Sequence, residues 1–209
     1  MALPEDMSWR YAVRRFVPGA REDARLAQAL EAARLAPSAF GLMPWRIVQV
    51  EGAATRRALL DHAYGQDKVE SAGHLLVFAS RAPLTEADID AHVARLARDR
   101  GLDDAAAGKQ RASLIRNTLA RHDARGLDEW CRAQCYLGLG VFLAACASQR
   151  LDACPMEGFA PARFDDILGL RAHRLTARAL VTAGHRAPED ASASRAKSRP
   201  GMDEFLLTV

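Results

Sequence analysis

Hydrophobic residues recur along this chain with two different spacings, and the helical spacing predicts five helices. In Ala20–Leu35, apolar residues return every three or four positions, which is the spacing of one helix face. Pro37 then ends the helix, because a proline disfavours helical backbone at the residue before it. The same reasoning predicts helices over Ala53–His62, Glu86–Arg100, Lys109–Arg125 and Glu129–Gln149.

Short apolar runs predict the strands, which are Arg46–Glu51, His74–Ser80, Leu151–Pro155, Leu175–Thr182 and Phe205–Val209. His74–Ser80 is apolar almost throughout, which is typical of a strand covered on both faces. The elements together predict an α+β fold, with one sheet and helices packed around it. Because chain ends are normally polar, the apolar Phe205–Val209 is expected to be buried, and a neighbouring subunit's sheet edge is a candidate place.

Two helical regions carry further expectations. Residues 86–125 are highly charged, so we expect them to face solvent in part or to form a protruding lid. Gly138 and Gly140 interrupt the long apolar helix, and each glycine costs about 1 kcal/mol of helix stability relative to alanine. Such a pair predicts close packing against another helix or against a flat ligand.

Composition predicts a single domain over residues 1–209. The chain has 209 residues, of which 49% are hydrophobic, and its net charge is only +3. A single domain of this size can bury a large core. Both signs of charge are scattered along the chain, which argues against an obligate nucleic-acid binder. Of the 29 cationic residues only three are lysines, namely Lys68, Lys109 and Lys197.

The sequence also predicts a cytoplasmic protein that is not inserted in a membrane. The first residues lack the pattern of a secretory signal. The longest apolar run, Cys135–Ala147, is shorter than the roughly 20 residues that span a bilayer. The cysteines form no CxxC pair and are expected to be buried thiols, as a reducing compartment allows. They are Cys131, Cys135, Cys146 and Cys154.

Common catalytic motifs are absent from the sequence. It has no GxGxxG, no GxxxxGK[ST], no HExxH and no GxSxG, and its six histidines suggest no metal site. Two groups of cations remain, one near each end, and such groups bind phosphate well. They are Arg10, Arg14 and Arg15, then Lys197 and Arg199; a solvated basic surface is the alternative interpretation.

Two loops are further candidates for ligand contact. Pro37–Trp45 contains small and aromatic residues between prolines, and it could lay backbone amides against a flat ring. Pro155–Phe159 follows a predicted strand, where Gly158 allows close approach of a ligand to the backbone. Taken singly, each loop could equally be an ordinary connection.

In combination and in this order, seven segments resemble the FMN-dependent nitroreductase family. They resemble most closely the branch of oxygen-insensitive NAD(P)H nitroreductases and dihydropteridine reductases. The resemblance covers nearly the whole chain and is weakest over residues 86–125. The segments are Arg10–Phe16, Ala33–Val50, Gln66–Ser80, Glu129–Phe159, Asp165–Leu170, Val181–Asp190 and Ala196–Pro200.

The resemblance implies a nitroreductase-like fold in a homodimer with two FMN sites at the subunit interface. It implies a central mixed, mostly antiparallel sheet that the partner's C-terminal strand completes, with 201–209 as the exchanged segment. It also implies ping-pong chemistry, in which NAD(P)H delivers a hydride to flavin N5 and a flat acceptor such as a nitroaromatic or a quinone then removes it. An enone reductase, a dehalogenase, a dihydropteridine reductase and a non-catalytic flavin-binding protein are the alternatives.

The resemblance also assigns roles to individual residues. No dedicated catalytic residue is implied, and the backbone N–H of Glu157 is expected to contact flavin N5. Phe40 is expected to line the substrate side. A fixed cation beside the flavin N1 and O2 would stabilise the negative charge that two-electron reduction places there. The implied contacts are Arg10, Lys197 and Arg199 for the phosphate and ribityl chain; Arg14 and Lys68 for N1 and O2; Pro155, Met156 and Gly158 for the ring; Tyr11, Ala12 and Gln66 nearby; and Pro37, Ser38, Ala39, Gly41 and Gln134 from the partner.

Four positions depart from the family pattern. Ala12 stands where a hydroxyl residue is common, and Met43 replaces a glutamine. Gly41 replaces a frequent asparagine, and Gly65 stands where relatives place an asparagine, whose role Gln66 is expected to take over. The departures concern substrate range, and the physiological acceptor and the preference for NADH or NADPH stay open.

Overall fold

The computed structural model describes residues 3–209, and its centre is one four-stranded sheet. The strands are β1 (Trp45–Gln49), β2 (His74–Arg81), β3 (Asp152–Met156) and β4 (Leu175–Gly184). They are ordered β1-β2-β4-β3, and every neighbouring pair is antiparallel. An isolated parallel bridge, outside these strands, joins Ala12 to Ala153 beside β3.

Helices surround this sheet, and most lie where the sequence predicts them. They are α1 (Leu3–Trp9), α2 (Asp23–Arg34), α3 (Ala53–Leu60), α4 (Lys68–Ser71), α5 (Glu86–Arg100), α6 (Asp104–Asn117), α7 (Ala124–Ser148), α8 (Pro161–Ile167) and α9 (Met202–Phe205). The sequence does not predict the short helices α1, α4, α8 and α9. The prediction of Lys109–Arg125 is wrong at both ends, because Asp103 caps α6 earlier and Asp123 already caps α7.

Strand β2 is covered on both faces, as its apolar sequence predicts. Leu75 and Val77 point into a core cluster shared with α3, α4 and α8, whereas Leu76 and Phe78 point into a second cluster with α2 and α7. Because successive side chains of a strand point to opposite faces, a continuous apolar run is what two covered faces require.

The prediction of close packing at the α7 glycines is confirmed for Gly138, but the partner is a side chain of strand β1 and not the predicted helix or flat ligand. A Cβ atom built on Gly138 would lie 2.4 Å from Cζ2 of Trp45, so only glycine lets the indole ring of β1 rest on the helix. Gly140 has open space around it within the chain.

Helices α5 and α6 pack on each other around a small apolar core of their own. It contains Ile89 and Val93 of α5, Leu114 of α6, Cys131 of α7 and Leu42 from the loop before β1. The outer surface carries charge, since Arg111 pairs with Glu86 and Asp90. We refer to α5 and α6 together as the helical pair.

Helix α7 has 25 residues and is, within residues 3–209, the one helix long and apolar enough to cross a bilayer. It packs against helices α1 and α2 and against strands β1, β2 and β3. A core helix that packs on a sheet accounts for this apolar composition. The four cysteines are buried and free, which confirms the prediction of buried thiols.

The C-terminal residues form no strand within the single chain, in contrast to the prediction for Phe205–Val209. Met202–Phe205 is a short helix, and the following residues are irregular and exposed. Leu207 is 84% exposed. The segment contacts no sheet edge of its own chain, so the hydrogen bonds that define a strand are missing.

Candidate active site

The N-terminal segment 10–15 lies along the outer edge of β3. The backbone N–H of Val13 donates to the carbonyl of Ala153 at 3.4 Å, beside the parallel bridge from Ala12 to Ala153. The Val13 side chain is fully buried in the core, which fixes the segment on the sheet. Arg10 and Arg14 are thereby held close to the residues that end β3.

Three cations surround the buried thiol of Cys154. Burial raises the pKa of Cys154, and the positive charges of Lys68, Arg14 and Arg10 oppose that increase. The three residues come from the N-terminal segment and from α4, so the tertiary structure brings together what the sequence separates. Lys68 itself is only 4% exposed.

The side chains of the cations in this group form no ion pair within the described part of the chain. Within residues 3–209 no ion pair forms to Arg10, Arg14, Lys68, Lys197 or Arg199. Burial lowers the pKa of Lys68, and Arg14 lowers it further. Burial and Arg199 likewise lower the pKa of Arg10. These cations therefore repel each other, and an anion bound among them would relieve the repulsion.

Lys197 occupies a defined place in this group. Its ammonium donates to the carbonyls of Met7 and Arg10, the latter at 2.6 Å, at the C-terminal end of α1. Cations are favourable at helix C-termini. An ammonium has three donors, so one stays available after these two bonds. These two hydrogen bonds hold Lys197 beside Arg10.

Gln66 links the buried lysine to the loop after β3. Its Oε1 accepts from Nζ of Lys68 at 2.7 Å, and its Nε2 donates to the carbonyl of Gly158 at 2.8 Å. A Cβ on Gly158 would stand 3.3 Å from this amide nitrogen. Gln66 therefore connects the side chain of Lys68 to the backbone of Gly158. The sequence alone does not show this connection.

The side chain of Glu157 is held from helix α7. The hydroxyl of Tyr136 donates to the Glu157 carboxylate and also lies 3.2 Å from the carbonyl of Arg178. Arg132 stands 3.8 Å from the same carboxylate. Pro155 and Met156 are part of β3 itself, so the Glu157–Gly158 peptide follows directly from a rigid strand.

The loop Pro37–Trp45 has an unusual backbone that several contacts stabilise. Phe40 and Met43 have φ angles of 58° and 48°, in the left-handed region that non-glycine residues seldom adopt. Oε1 of Gln134 accepts from the N–H of Ala39 at 2.7 Å, and Oγ of Ser38 accepts from the N–H of Met43 at 2.9 Å. Strained backbone of this kind clusters at functional sites.

The same loop presents two faces. Phe40 is 51% exposed, whereas Leu42 is buried in the core of the helical pair. No hydrogen bond or ion pair of residues 3–209 connects this loop to the cation group. The single chain thus assembles two separate sets of the residues named from sequence, one around Cys154 and one on the Pro37–Trp45 loop with Gln134.

Three residues of this region were not identified from the sequence, namely Asp190, Tyr136 and His92. Asp190 accepts hydrogen bonds from the segment 11–15, and His92 of α5 packs its ring near Gly41. Each is a single polar residue inside a longer segment, and no spacing distinguishes it from a surface residue. Within the described part of the chain, no group of three His, Cys, Asp or Glu residues is placed to hold a metal ion.

Comparison with known proteins identifies a family that matches most of this chain. The Nitroreductase family matches residues 7–185. An NADH dehydrogenase from Thermus thermophilus is 36% identical over 86% of this chain and 84% of its own length. The major NAD(P)H-flavin oxidoreductase from Aliivibrio fischeri is 27% identical over 98% of this chain and 97% of its own.

A solved structure shows the same fold. A protein named as a nitroreductase from Exiguobacterium sibiricum, in complex with FMN, superimposes with a TM-score of 0.81 at 17% identity, covering 100% of this chain and 98% of its own. The family match covers Arg10, Arg14 and Lys68 of the cation group, the loop with Phe40 and the end of β3, and it ends before Lys197 and Arg199. The fold agrees over the full length. This chain belongs to the nitroreductase family.

Proposed function

We propose that this chain is an FMN-dependent NAD(P)H oxidoreductase that reduces flat electrophiles such as nitroaromatics and quinones. The observation that carries the proposal is the cation group near the end of β3, whose side chains form no ion pair within residues 3–209. Support comes from the family, from a relative named as an NAD(P)H-flavin oxidoreductase, and from a neighbour of the same fold that binds FMN. Bound FMN would supply hydride acceptance and donation at N5, so that NAD(P)H and the acceptor react in turn.

The residues present fit the phosphate end of this cofactor. Burial and Arg199 lower the pKa of Arg10, and burial and Arg10 lower the pKa of Lys197, so these cations repel one another. This repulsion and the lack of ion pairs within residues 3–209 support a role in binding an anion. Arginine and lysine bind phosphate by charge-assisted hydrogen bonds. In our proposal these three residues hold the phosphate, and the carbonyls of Met7 and Arg10 hold Lys197 in position to do so.

The opposite end of the group suits the flavin pyrimidine. Lys68 is buried, it is fixed by Gln66, and Arg14 is near enough to lower its pKa. In our proposal Lys68 and Arg14 stabilise negative charge that hydride transfer places at N1 and O2. A fixed cation performs this task without reorganisation at the moment of reaction.

The end of β3 would position the reacting part of the ring. In our proposal the N–H of Glu157 contacts N5, with Gly158 beside it, and Pro155 and Met156 support the ring from the strand. Tyr136 binds the Glu157 carboxylate. In our proposal the backbone amide of Glu157, and not its side chain, would therefore contact the ring.

We further propose a homodimer in which the partner completes each site. The loop with Phe40 and Gln134 lies apart from the cation group within one chain, so a second chain is needed to bring the two sets together. In this arrangement Pro37, Ser38, Ala39 and Gly41 approach the cofactor of the partner, and Phe40 lines its acceptor side.

The unpaired edge of β1 offers a place for the partner's C-terminal residues. Two cavities flank this edge, of about 550 Å³ and about 430 Å³, and Ile47 lines both. The segment Phe205–Val209 is apolar and exposed, and it lacks a place in its own chain. Strand addition at a free edge would satisfy its backbone and bury its side chains.

The test is purification followed by spectroscopy and an acceptor panel. We expect a yellow protein that retains FMN and oxidises NADH or NADPH anaerobically only when a nitrofuran or quinone is present. An enone and a halogenated phenol in the panel distinguish the alternative reactions of this fold. A colourless protein that takes up no FMN and oxidises neither nucleotide would contradict the proposal.

We expect this enzyme in the reducing cytoplasm, since its four thiols are free.

A further inference from the structure

Asp190 connects the two ends of the proposed cofactor site through one buried carboxylate. It is only 4% exposed. Its Oδ2 accepts from the backbone N–H groups of Arg14 at 2.8 Å and Arg15 at 3.4 Å. Its Oδ1 accepts from the backbone N–H of Ser192 at 3.0 Å. One carboxylate therefore holds the backbone of the segment that carries Arg14. It also holds the backbone at Ser192, where the segment that leads to Lys197 and Arg199 starts.

A side chain adds to this network. The hydroxyl of Tyr11 donates to Oδ2 of Asp190 at 3.2 Å. Burial raises the pKa of Tyr11 to about 12, so the phenol keeps its proton and acts as a donor. The ring of Tyr11 is in turn covered by the guanidinium of Arg186, 4.6 Å from its centre. Arg186 donates from Nε to Oδ1 of Asp152 at 2.7 Å, so the guanidinium that covers Tyr11 is itself held in place.

The protonation state of Asp190 is defined as well. Burial by itself would raise the pKa of this carboxyl, but the hydrogen bonds from Arg14, Ser192, Arg15 and Tyr11 bring it below its ordinary value. The carboxylate is thus ionised at neutral pH. A buried anion with several donors is strongly bonded, and the loss of its charge leaves donors unsatisfied.

We infer that Asp190 is a positioning residue, which sets Arg14 at the pyrimidine end and the 192–199 segment at the phosphate end at the same time. It does not touch the cofactor in this inference; it acts through the backbone of the two segments. The inference rests on the proposed FMN-dependent function. It goes further by assigning the coupling between the two ends of the site to one residue.

The experiment compares Asp190→Asn with Asp165→Asn. Asp165 is an equally buried aspartate that accepts from Oγ1 of Thr176 and from the N–H of Ala177, both at 2.7 Å, and it has no bond to the cation group. Apoprotein of each variant is titrated with FMN and with riboflavin, which lacks the phosphate. Amide hydrogen exchange is measured for Arg14, Arg15 and Ser192.

We expect Asp190→Asn to weaken FMN binding about tenfold or more, since a hydrogen bond to a charged group is lost. Riboflavin should lose less, because only the pyrimidine end contributes to its binding. The amides of Arg14, Arg15 and Ser192 should all exchange faster. Asp165→Asn should lower the melting temperature without these three effects.

Several outcomes would overturn the inference. Unchanged or tighter FMN binding by Asp190→Asn would do so, as would equal losses for FMN and riboflavin. If that variant does not fold, Asp190→Glu keeps the charge but moves the oxygens outward, and it should show the same order of losses in milder form. Failure of the wild-type protein to bind FMN would instead contradict the proposed function, so the two failures are distinguishable.

Discussion

Lys68 is the residue whose environment differs most from that of an ordinary lysine. Its ammonium is buried, bonded to Gln66 and repelled by Arg14. A lysine is normally exposed, and burial of a cation without an acidic partner is costly. Such an arrangement persists where the positive charge itself is required, which agrees with the proposed contact at N1 and O2.

Lys68→Ala should lower the two-electron potential of bound FMN and slow hydride uptake from NAD(P)H. Loss of an interaction with a charged group is worth about 1.5–3 kcal/mol, which corresponds to about 30–65 mV for two electrons. Redox titration and stopped-flow reduction measure the two effects. Lys109→Ala, which removes an exposed lysine of α6, is the matched control and should change neither. An unchanged potential in Lys68→Ala would refute the assignment.

His74 gives the fold a dependence on pH. Its ring is fully buried, and Nε2 accepts from the backbone N–H of Glu22 at 3.1 Å, at the start of α2. Burial lowers the pKa of His74, and Arg21 lowers it further. The unfolded chain therefore binds a proton at higher pH than the folded protein does. Stability from this group is present above the ordinary pKa of about 6.5 and is lost as the pH falls below it.

We therefore expect the melting temperature to fall as the pH is lowered from 7 towards 5. His74→Gln keeps an acceptor for Glu22 but does not titrate, so its melting temperature should vary less with pH. Some dependence should remain, because burial also lowers the pKa of His92. Identical pH profiles for the wild type and His74→Gln would exclude His74 as the cause.

At the scale of elements, the contact between α7 and β1 depends on one glycine. Gly138→Ala would place a methyl group against the Trp45 ring, and overpacking of this kind costs about 1–3 kcal/mol. Gly108→Ala in α6 meets nothing within 4 Å and should stabilise the helix by up to about 1 kcal/mol. Chemical denaturation of both variants measures the difference. Equal stability of the two would mean that Trp45 moves aside without cost.

The helical pair α5–α6 supports the loop that carries Phe40. Leu42 inserts into the core of this pair, and the His92 ring lies close to Gly41. The sequence predicts that this region faces solvent or forms a protruding lid. The structure adds that the inner side of the helical pair contacts the loop that carries Phe40. A substitution in the core of the pair should therefore shift Phe40, which we propose lines the acceptor side.

Leu42→Ala should raise KM for a flat acceptor several-fold, and it should also cost about 2–5 kcal/mol of stability as a buried leucine. Leu114→Ala removes a leucine from the same core but not from the loop, and it should lower stability without a comparable change in KM. Steady-state kinetics with a quinone and thermal melts separate the two effects. A KM that changes equally in both variants would show that general loosening is responsible.

At the scale of the whole molecule, the unpaired edge of β1 and the exposed apolar C-terminal residues point to assembly. Deletion of Phe205–Val209 should weaken the proposed homodimer and, with it, FMN retention, since each proposed site needs two chains. Analytical ultracentrifugation over a concentration series measures the first effect, and the flavin-to-protein ratio measures the second. A truncated protein that stays fully dimeric and fully loaded with FMN would refute strand exchange.

The sequence alone is sufficient for much of the fold. The residue patterns in Ala20–Leu35 and Glu86–Arg100 are local, and each places its helix within a few residues. The apolar run of β2 is also a local pattern, and it predicts that both faces of the strand are buried. Helix α1 was missed because its short stretch has no clear apolar period; cation–π contacts of Arg150 and Arg186 with Trp9 hold its end in place.

The sequence also predicts one part of the candidate site and misses another. Cations near both ends, the loop before β1 and the glycine after β3 are visible in the sequence, because residue type and local spacing indicate what they could bind. Only the tertiary structure places Lys68 beside Arg14 and joins the 11–15 segment to the 190–199 segment through Asp190. Those contacts bridge up to 179 positions of sequence, and they form because the sheet and its buried side chains bring distant segments together, which no local pattern encodes.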